Sequence, residues 1–142
     1  MTSSTDMPGR DTEGQDRTCL VSIGSNCSAG ENMRLSREWL QERFPGIAFS
    51  RQMRTPFRGE GGGADFFNQL ALFHSTLDYY SLRAVLKDME RALGRRPSDK
   101  AKGKVPMDLD ILMMGNTIYK AEDLEDPYTV LMRKDLDGHA SS

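Results

Sequence analysis

The chain has 142 residues, 37% of them hydrophobic and 28% charged, with 19 Lys+Arg set against 21 Asp+Glu for a net charge of −2. That is the size of one globular domain, and the balanced charge excludes both a histone-like basic binder and an acidic solvating chain. No run approaches the roughly 18 apolar residues of a membrane-spanning helix, and the N-terminus lacks the apolar core of a signal peptide. Cys19 and Cys27 are too few for a disulfide scaffold or a zinc site, so the expectation is a cytoplasmic protein with two free thiols.

Residues 1–17 hold only Met1 and Met7 as large apolar groups and read as a flexible tail. The domain is expected over 18–136, with a second flexible end at 137–142. The first strand is predicted over 19–23, where Cys19, Val21 and Ile23 alternate with Leu20 and Ser22 before the turn Gly24-Ser25-Asn26. Ser28-Ala29-Gly30-Glu31 has capping-box spacing and opens a helix to about Phe44, with Met33, Leu40 and Phe44 on one face beside Trp39. Pro45-Gly46 stops it.

Ile47, Phe49, Arg51 and Met53 alternate and predict a second strand over 47–54, followed by the glycine-rich stretch 59–63. A third strand is expected over 66–75. Leu82, Val85, Leu86, Met89 and Leu93 recur at helical spacing up to Gly94, which ends the second helix. A basic loop covers 95–106. A fourth strand is predicted over 107–114, and 117–119 is placed as a short extended piece beside it. The remainder from Lys120 reads as loose and polar. The order is βαββαβ: an α+β, ferredoxin-like arrangement with two helices on one face of an antiparallel sheet and the other face open to a ligand.

Chemistry concentrates at Asp108-Leu109-Asp110. Residues two apart on a strand face the same way, so the two carboxylates project together while Met107, Leu109, Ile111 and Met113 point to the core. Adjacent like charges repel, and Mg²⁺, a hard cation that takes one or two carboxylates plus substrate phosphates, relieves that repulsion. The competing reading is a solvated strand face. The preceding loop carries Arg95, Arg96, Lys100, Lys102 and Lys104 against Asp99 alone, which suits a Mg²⁺–polyphosphate; a solvated surface loop is the plainer alternative. No aromatic interleaves that run, so nucleic acid is not the expected partner. Neither a Walker A lysine motif nor G-x-G-x-x-G is present. Phe66 and Asn68 share a strand face and together could stack on and hydrogen-bond a flat heterocycle; a core Phe beside a satisfied Asn is the plainer alternative.

In order along the chain, Val21-Ser22-Ile23-Gly24-Ser25-Asn26, Arg54-Thr55-Pro56, Asp65-Phe66-Phe67-Asn68, Glu90-Arg91-Ala92-Leu93-Gly94-Arg95 and Met107-Asp108-Leu109-Asp110-Ile111-Leu112 resemble the blocks of the 6-hydroxymethyl-7,8-dihydropterin pyrophosphokinase family of folate biosynthesis. The resemblance implies a Mg²⁺-dependent transferase that moves diphosphate from ATP to a pterin alcohol and releases AMP; a monomer is the expectation. It implies two Mg²⁺ ions on Asp108 and Asp110, with Arg95 facing phosphate. Thr55, Pro56, Phe57, Phe66 and Asn68 would form the pterin pocket. Glu90, Arg95, Lys104, Ile111, Tyr128, Arg133 and Lys134 would surround ATP. Two departures stand out. Lys102-Gly103-Lys104-Val105 replaces the family's Trp-Gly-Pro-Arg, and Pro127-Tyr128 replaces its Pro-His. A binding relative without activity, or a diphosphokinase for a related substrate, are the alternatives. A nucleotidyltransferase also uses Gly-Ser and D-x-D, but keeps them close in sequence.

Overall fold

The computed structural model describes residues 15–57 and 61–138. Most of the expected flexible tail, and the last four residues of the expected flexible end, lie outside these. Strand β1 runs Arg17–Ser25, helix α1 Ala29–Arg43, strands β2 Ala48–Phe49, β3 Met53–Thr55 and β4 Phe66–Ser75, and helix α2 Tyr79–Ala92. A single 3₁₀ turn, Lys100–Lys102, interrupts the basic loop; β5 (Asp108–Met114), β6 (Thr117–Ile118), α3 (Ala121–Glu125) and α4 (Pro127–Lys134) complete the order. The sheet is antiparallel, with order β2-β4-β1-β5-β6 and β3 also paired to β4. This is the ferredoxin-like α+β arrangement read from the alternation and helical spacing.

Period-2 alternation in β1 divides the core in two. Cys19, Val21 and Ile23 face the helix layer, where Met33 and Leu40 of α1 and Leu82 and Leu86 of α2 are fully buried against them. Each such side chain contributes about 1.5–3 kcal/mol of burial. Leu20 faces the opposite side, with Leu70, Leu72, Leu112, Met132 and Leu136. Both cysteines are free. Burial holds the Cys19 thiol up at about 11.

Four local expectations are corrected. Ser28 caps nothing with its side chain: it adopts a left-handed backbone (φ 49°), and Glu31 pairs with Arg34 instead. The second strand is split, because Ser50 turns its hydroxyl to the Leu70 amide and the Arg51 amide donates to Asp135. Met113 is on the far face rather than among the core-facing residues. Leu20 pairs Met113 but Val21 pairs Ile111, so Leu112 is an inserted residue that reverses the alternation beyond it. The segment after Lys120 is ordered, not loose. Asp126 accepts from the Tyr128 amide ahead of Pro127 and starts α4, which lays Met132 on the sheet face that was expected to be open. Part of that face is thereby covered, and what remains becomes a walled cavity.

Candidate active site

The cavity has a volume of about 820 Å³ and lies on the sheet face opposite α1 and α2. That is enough for a small molecule together with a nucleotide's phosphates. One end is aromatic and neutral. Phe66 and Asn68 project from β4, while Thr55 at the end of β3 brings Pro56 and Phe57. The Phe57 and Phe66 rings lie 8° from parallel with centroids 6.1 Å apart. The Asn68 amide donates to the Thr55 hydroxyl at 2.6 Å, which fixes the amide's orientation and leaves its oxygen toward the β1 end. Gly24 makes room there: a Cβ on it would stand 3.1 Å from the Asn68 oxygen and 3.7 Å from the Phe66 ring.

The other end is charged. Asp108 and Asp110 face the cavity from β5, as their two-residue spacing requires. Arg95 donates to Asp108 at 2.9 Å and to the Met107 carbonyl at 3.2 Å. Burial, reinforced by the neighbouring Asp108 charge, pushes the Asp110 carboxyl up to about 7. The pair therefore resists carrying two negative charges unless a cation joins it. Tyr128 and Thr129 of α4 and Asp123 and Asp126 beside it form the third wall.

Two loops meet over the cavity, and Asn26 joins them. Its side-chain amide donates to the carbonyls of Ala64 (3.1 Å) and Gly103 (2.9 Å), and its oxygen accepts from the Val105 amide at 2.6 Å. Its backbone amide donates to the Val105 carbonyl at 3.0 Å. Gly103 has φ +71°, and a Cβ there would come within 2.4 Å of the Gly62 carbonyl oxygen, so the backbones touch where only glycine fits.

The structure gathers Asp108, Asp110, Arg95, Thr55, Pro56, Phe57, Phe66, Asn68 and Tyr128 around one space. Five other residues singled out in the sequence stand elsewhere. Ile111 points into the helix-side core. Lys104 and, on α4, Lys134 are exposed, and neither lines the cavity. Arg133 faces a separate cavity of about 290 Å³ on the other flank of α4. Glu90 is 4% exposed and reaches the outer edge of β5, where it accepts from the Leu109 amide at 2.7 Å.

Sequence reasoning missed Lys87, which donates to Glu90 at 2.9 Å and lies 3.9 Å from Asp110. Its i,i+3 spacing to Glu90 was a legible hint of the first contact, not of the second. It also missed Asn26 as a joint between loops. The Asp126-Pro127 helix-start signal could have found α4.

The sequence profile described as 7,8-dihydro-6-hydroxymethylpterin-pyrophosphokinase matches residues 20–136. The chain belongs to this family. No curated protein matches it. The matched span runs from β1 through α4 and so includes every wall of the large cavity. Membership in the pyrophosphokinase family implies a transferase of folate biosynthesis. Among the described residues no cluster of three or more His, Cys, Asp or Glu side chains could cage a metal, and no helix is long and apolar enough to cross a membrane.

Proposed function

We propose that the chain transfers diphosphate from ATP to the hydroxymethyl group of 6-hydroxymethyl-7,8-dihydropterin, with release of AMP. The observation that carries this reading is one cavity with two unlike ends. A carboxylate pair with an arginine faces an aromatic step with an oriented amide. A flat, polar heterocycle suits the second end, and a metal-bound polyphosphate suits the first.

Two carboxylates without a third are what Mg²⁺ uses when substrate phosphates complete its shell, so Asp108 and Asp110 fit that ion. Bound there, Mg²⁺ would neutralise phosphate charge and favour in-line attack on the β-phosphorus. The protein's part is placement and shelter. Phe57 and Phe66 give the pterin a ring to lie against, and the Asn68–Thr55 pair reads its edge. Arg95, held by Asp108 and the Met107 carbonyl, faces the phosphates. The loops joined at Asn26 limit water, so the pterin hydroxyl is the available acceptor.

A second reading is ligand binding without transfer. It draws on Val105, which is buried and lines the cavity where an arginine is expected by resemblance, while Lys104 does not line it. The two readings separate when protein, Mg²⁺-ATP and 6-hydroxymethyl-7,8-dihydropterin are mixed and nucleotides resolved by chromatography. Pterin-dependent AMP is the expected result. Pterin binding in calorimetry without AMP would refute transfer and leave a binding protein.

A further inference from the structure

We infer that Lys87 is a phosphate-binding cation of this site, resting against Asp110 and released from it when a metal ion takes that carboxylate. The inference rests on the diphosphokinase reading.

Leu82, Leu86 and Met89 bury one face of α2 against the sheet, which leaves Lys87 at the helix flank. A flanking lysine ordinarily extends into water. This one is 24% exposed and turns around the outer edge of β5. From Asp108 to Leu112 that edge has no strand beside it among the described residues, because β6 pairs only Met113 and Met114. Its backbone groups at Leu109 are satisfied by α2 side chains instead: Glu90 accepts from the amide at 2.7 Å, and Lys87 reaches the carbonyl at 3.4 Å. Curling around the edge brings the ammonium from the helix layer to the face where Asp110 projects.

Five charges then form a chain: Asp110, Lys87, Glu90, Arg95, Asp108. Glu90 is shared by two cations, with one oxygen 3.1 Å from Arg95 and the other 2.9 Å from Lys87. One carboxylate cannot neutralise both, so the surplus positive charge leans outward. Arg95 leans on Asp108 at 2.9 Å and Lys87 on Asp110 at 3.9 Å. The latter is a loose ion pair, beyond hydrogen-bond length.

The cavity's own lining gives this cation its use. Among the described residues Arg95 is the one cationic side chain lining it, against Asp108, Asp110, Asp123 and Asp126. A triphosphate entering that wall needs more positive charge than one arginine supplies. Lys87 is a second cation one side-chain swing away. A divalent ion on Asp110 would repel the ammonium and remove its partner. The nearest fresh anion would be the phosphate carried by that ion, and a lysine binds it as a flexible point charge.

The test is calorimetry on the full chain with two probes, Mg²⁺ alone and Mg²⁺ with α,β-methylene-ATP, which cannot be cleaved at the α–β bridge. Lys87→Met should bind Mg²⁺ alone roughly three- to tenfold tighter, the effect of removing one competing charge about 4 Å away in a watery setting. The same variant should bind the nucleotide analogue about tenfold more weakly, and Lys87→Arg should restore it to within about threefold of wild type. A merely structural lysine would move both affinities in one direction. Both falling together, or neither moving, overturns the assignment. Lys87→Gln repeats the comparison if the Met variant does not fold. A wild-type protein that binds neither probe would refute the diphosphokinase reading and this inference with it. One that binds both, with variants unchanged, would refute only the role of Lys87.

Discussion

Replacing Asp110 by Asn should stabilise the fold while abolishing metal binding. The Asp110 side chain is 24% exposed, and burial together with Asp108 holds its carboxyl at about 7 instead of 3.8. A carboxyl whose folded value is raised is uncharged in both states at low pH. Its destabilising effect is therefore absent below about pH 4, grows between 4 and 7, and is complete above 7. At about 1.36 kcal/mol per pH unit the full effect is bounded near 4 kcal/mol. Asn mimics the neutral acid but gives Lys87 a weaker partner, so a gain of about 1–3 kcal/mol is expected at pH 8. The assay is urea unfolding in EDTA, at pH 8 and at pH 4. Asn should lead wild type at pH 8 and match it at pH 4. Adding 10 mM Mg²⁺ at pH 8 should raise wild type alone, by mass action on the folded state. An Asn variant less stable than wild type at pH 8, or an equal gap at both pH values, would refute the account of the acidic pair.

Three further outcomes are expected. Asn26→Ala leaves the Val105 amide without its acceptor and unties Ala64 and Gly103, at a cost of about 1–3 kcal/mol. Amide exchange at Val105 should accelerate while Leu70 and Leu72 in β4 stay protected; equal acceleration in both would show general unfolding instead. Gly24→Ala puts a methyl 3.1 Å from the Asn68 oxygen, so pterin affinity should fall roughly tenfold with little change in Tm. Unchanged affinity would remove Asn68 from the pterin edge. Arg51 donates to both oxygens of Asp135 and holds that carboxyl down at about 2. The contact stabilises above about pH 4 and is lost as pH falls from 4 toward 2. Carboxyl NMR should place the Asp135 midpoint near 2 and raise it part of the way toward 4 in Arg51→Ala, which keeps the backbone amide's bond; an unmoved midpoint would break the side-chain pairing.

Local patterns carried the fold as far as they are local. Leu82, Leu86 and Met89 mark α2 because a buried helical face repeats every 3.6 residues, and Cys19, Val21 and Ile23 mark β1 because a strand repeats every two. Asp108 and Asp110 were legible for the same reason, since facing is decided by spacing alone. The errors fall where a distant partner decides. Ser50 breaks its strand to serve Leu70, twenty positions away. Leu112 is inserted opposite a β1 that shows no trace of it in sequence. α4 is short and polar enough to read as loop, and Met132 acquires its meaning only from Leu20 and Leu70 beneath it.

The same division explains which site residues were found. Phe66 and Asn68 share a face of β4, as their two-residue spacing predicts, and both line the cavity. Glu90 was assigned to the nucleotide by resemblance, yet its carboxylate is spent on the edge of β5 and on two cations. That placement changes what Glu90 can do. A buried acid that holds Lys87 and Arg95 beside Asp110 and Asp108 is a positioning residue on the proposed reading. On the diphosphokinase reading, the charge offered to phosphate at this end is that of one arginine and one lysine, held to one buried acid. Lys104 does not line the cavity and Val105 there is apolar, so on that reading the task falls to residues from α2 and the start of the loop after it. If the site draws its cations from the sheet edge in this way, its nucleotide affinity should follow Lys87 more closely than Lys104.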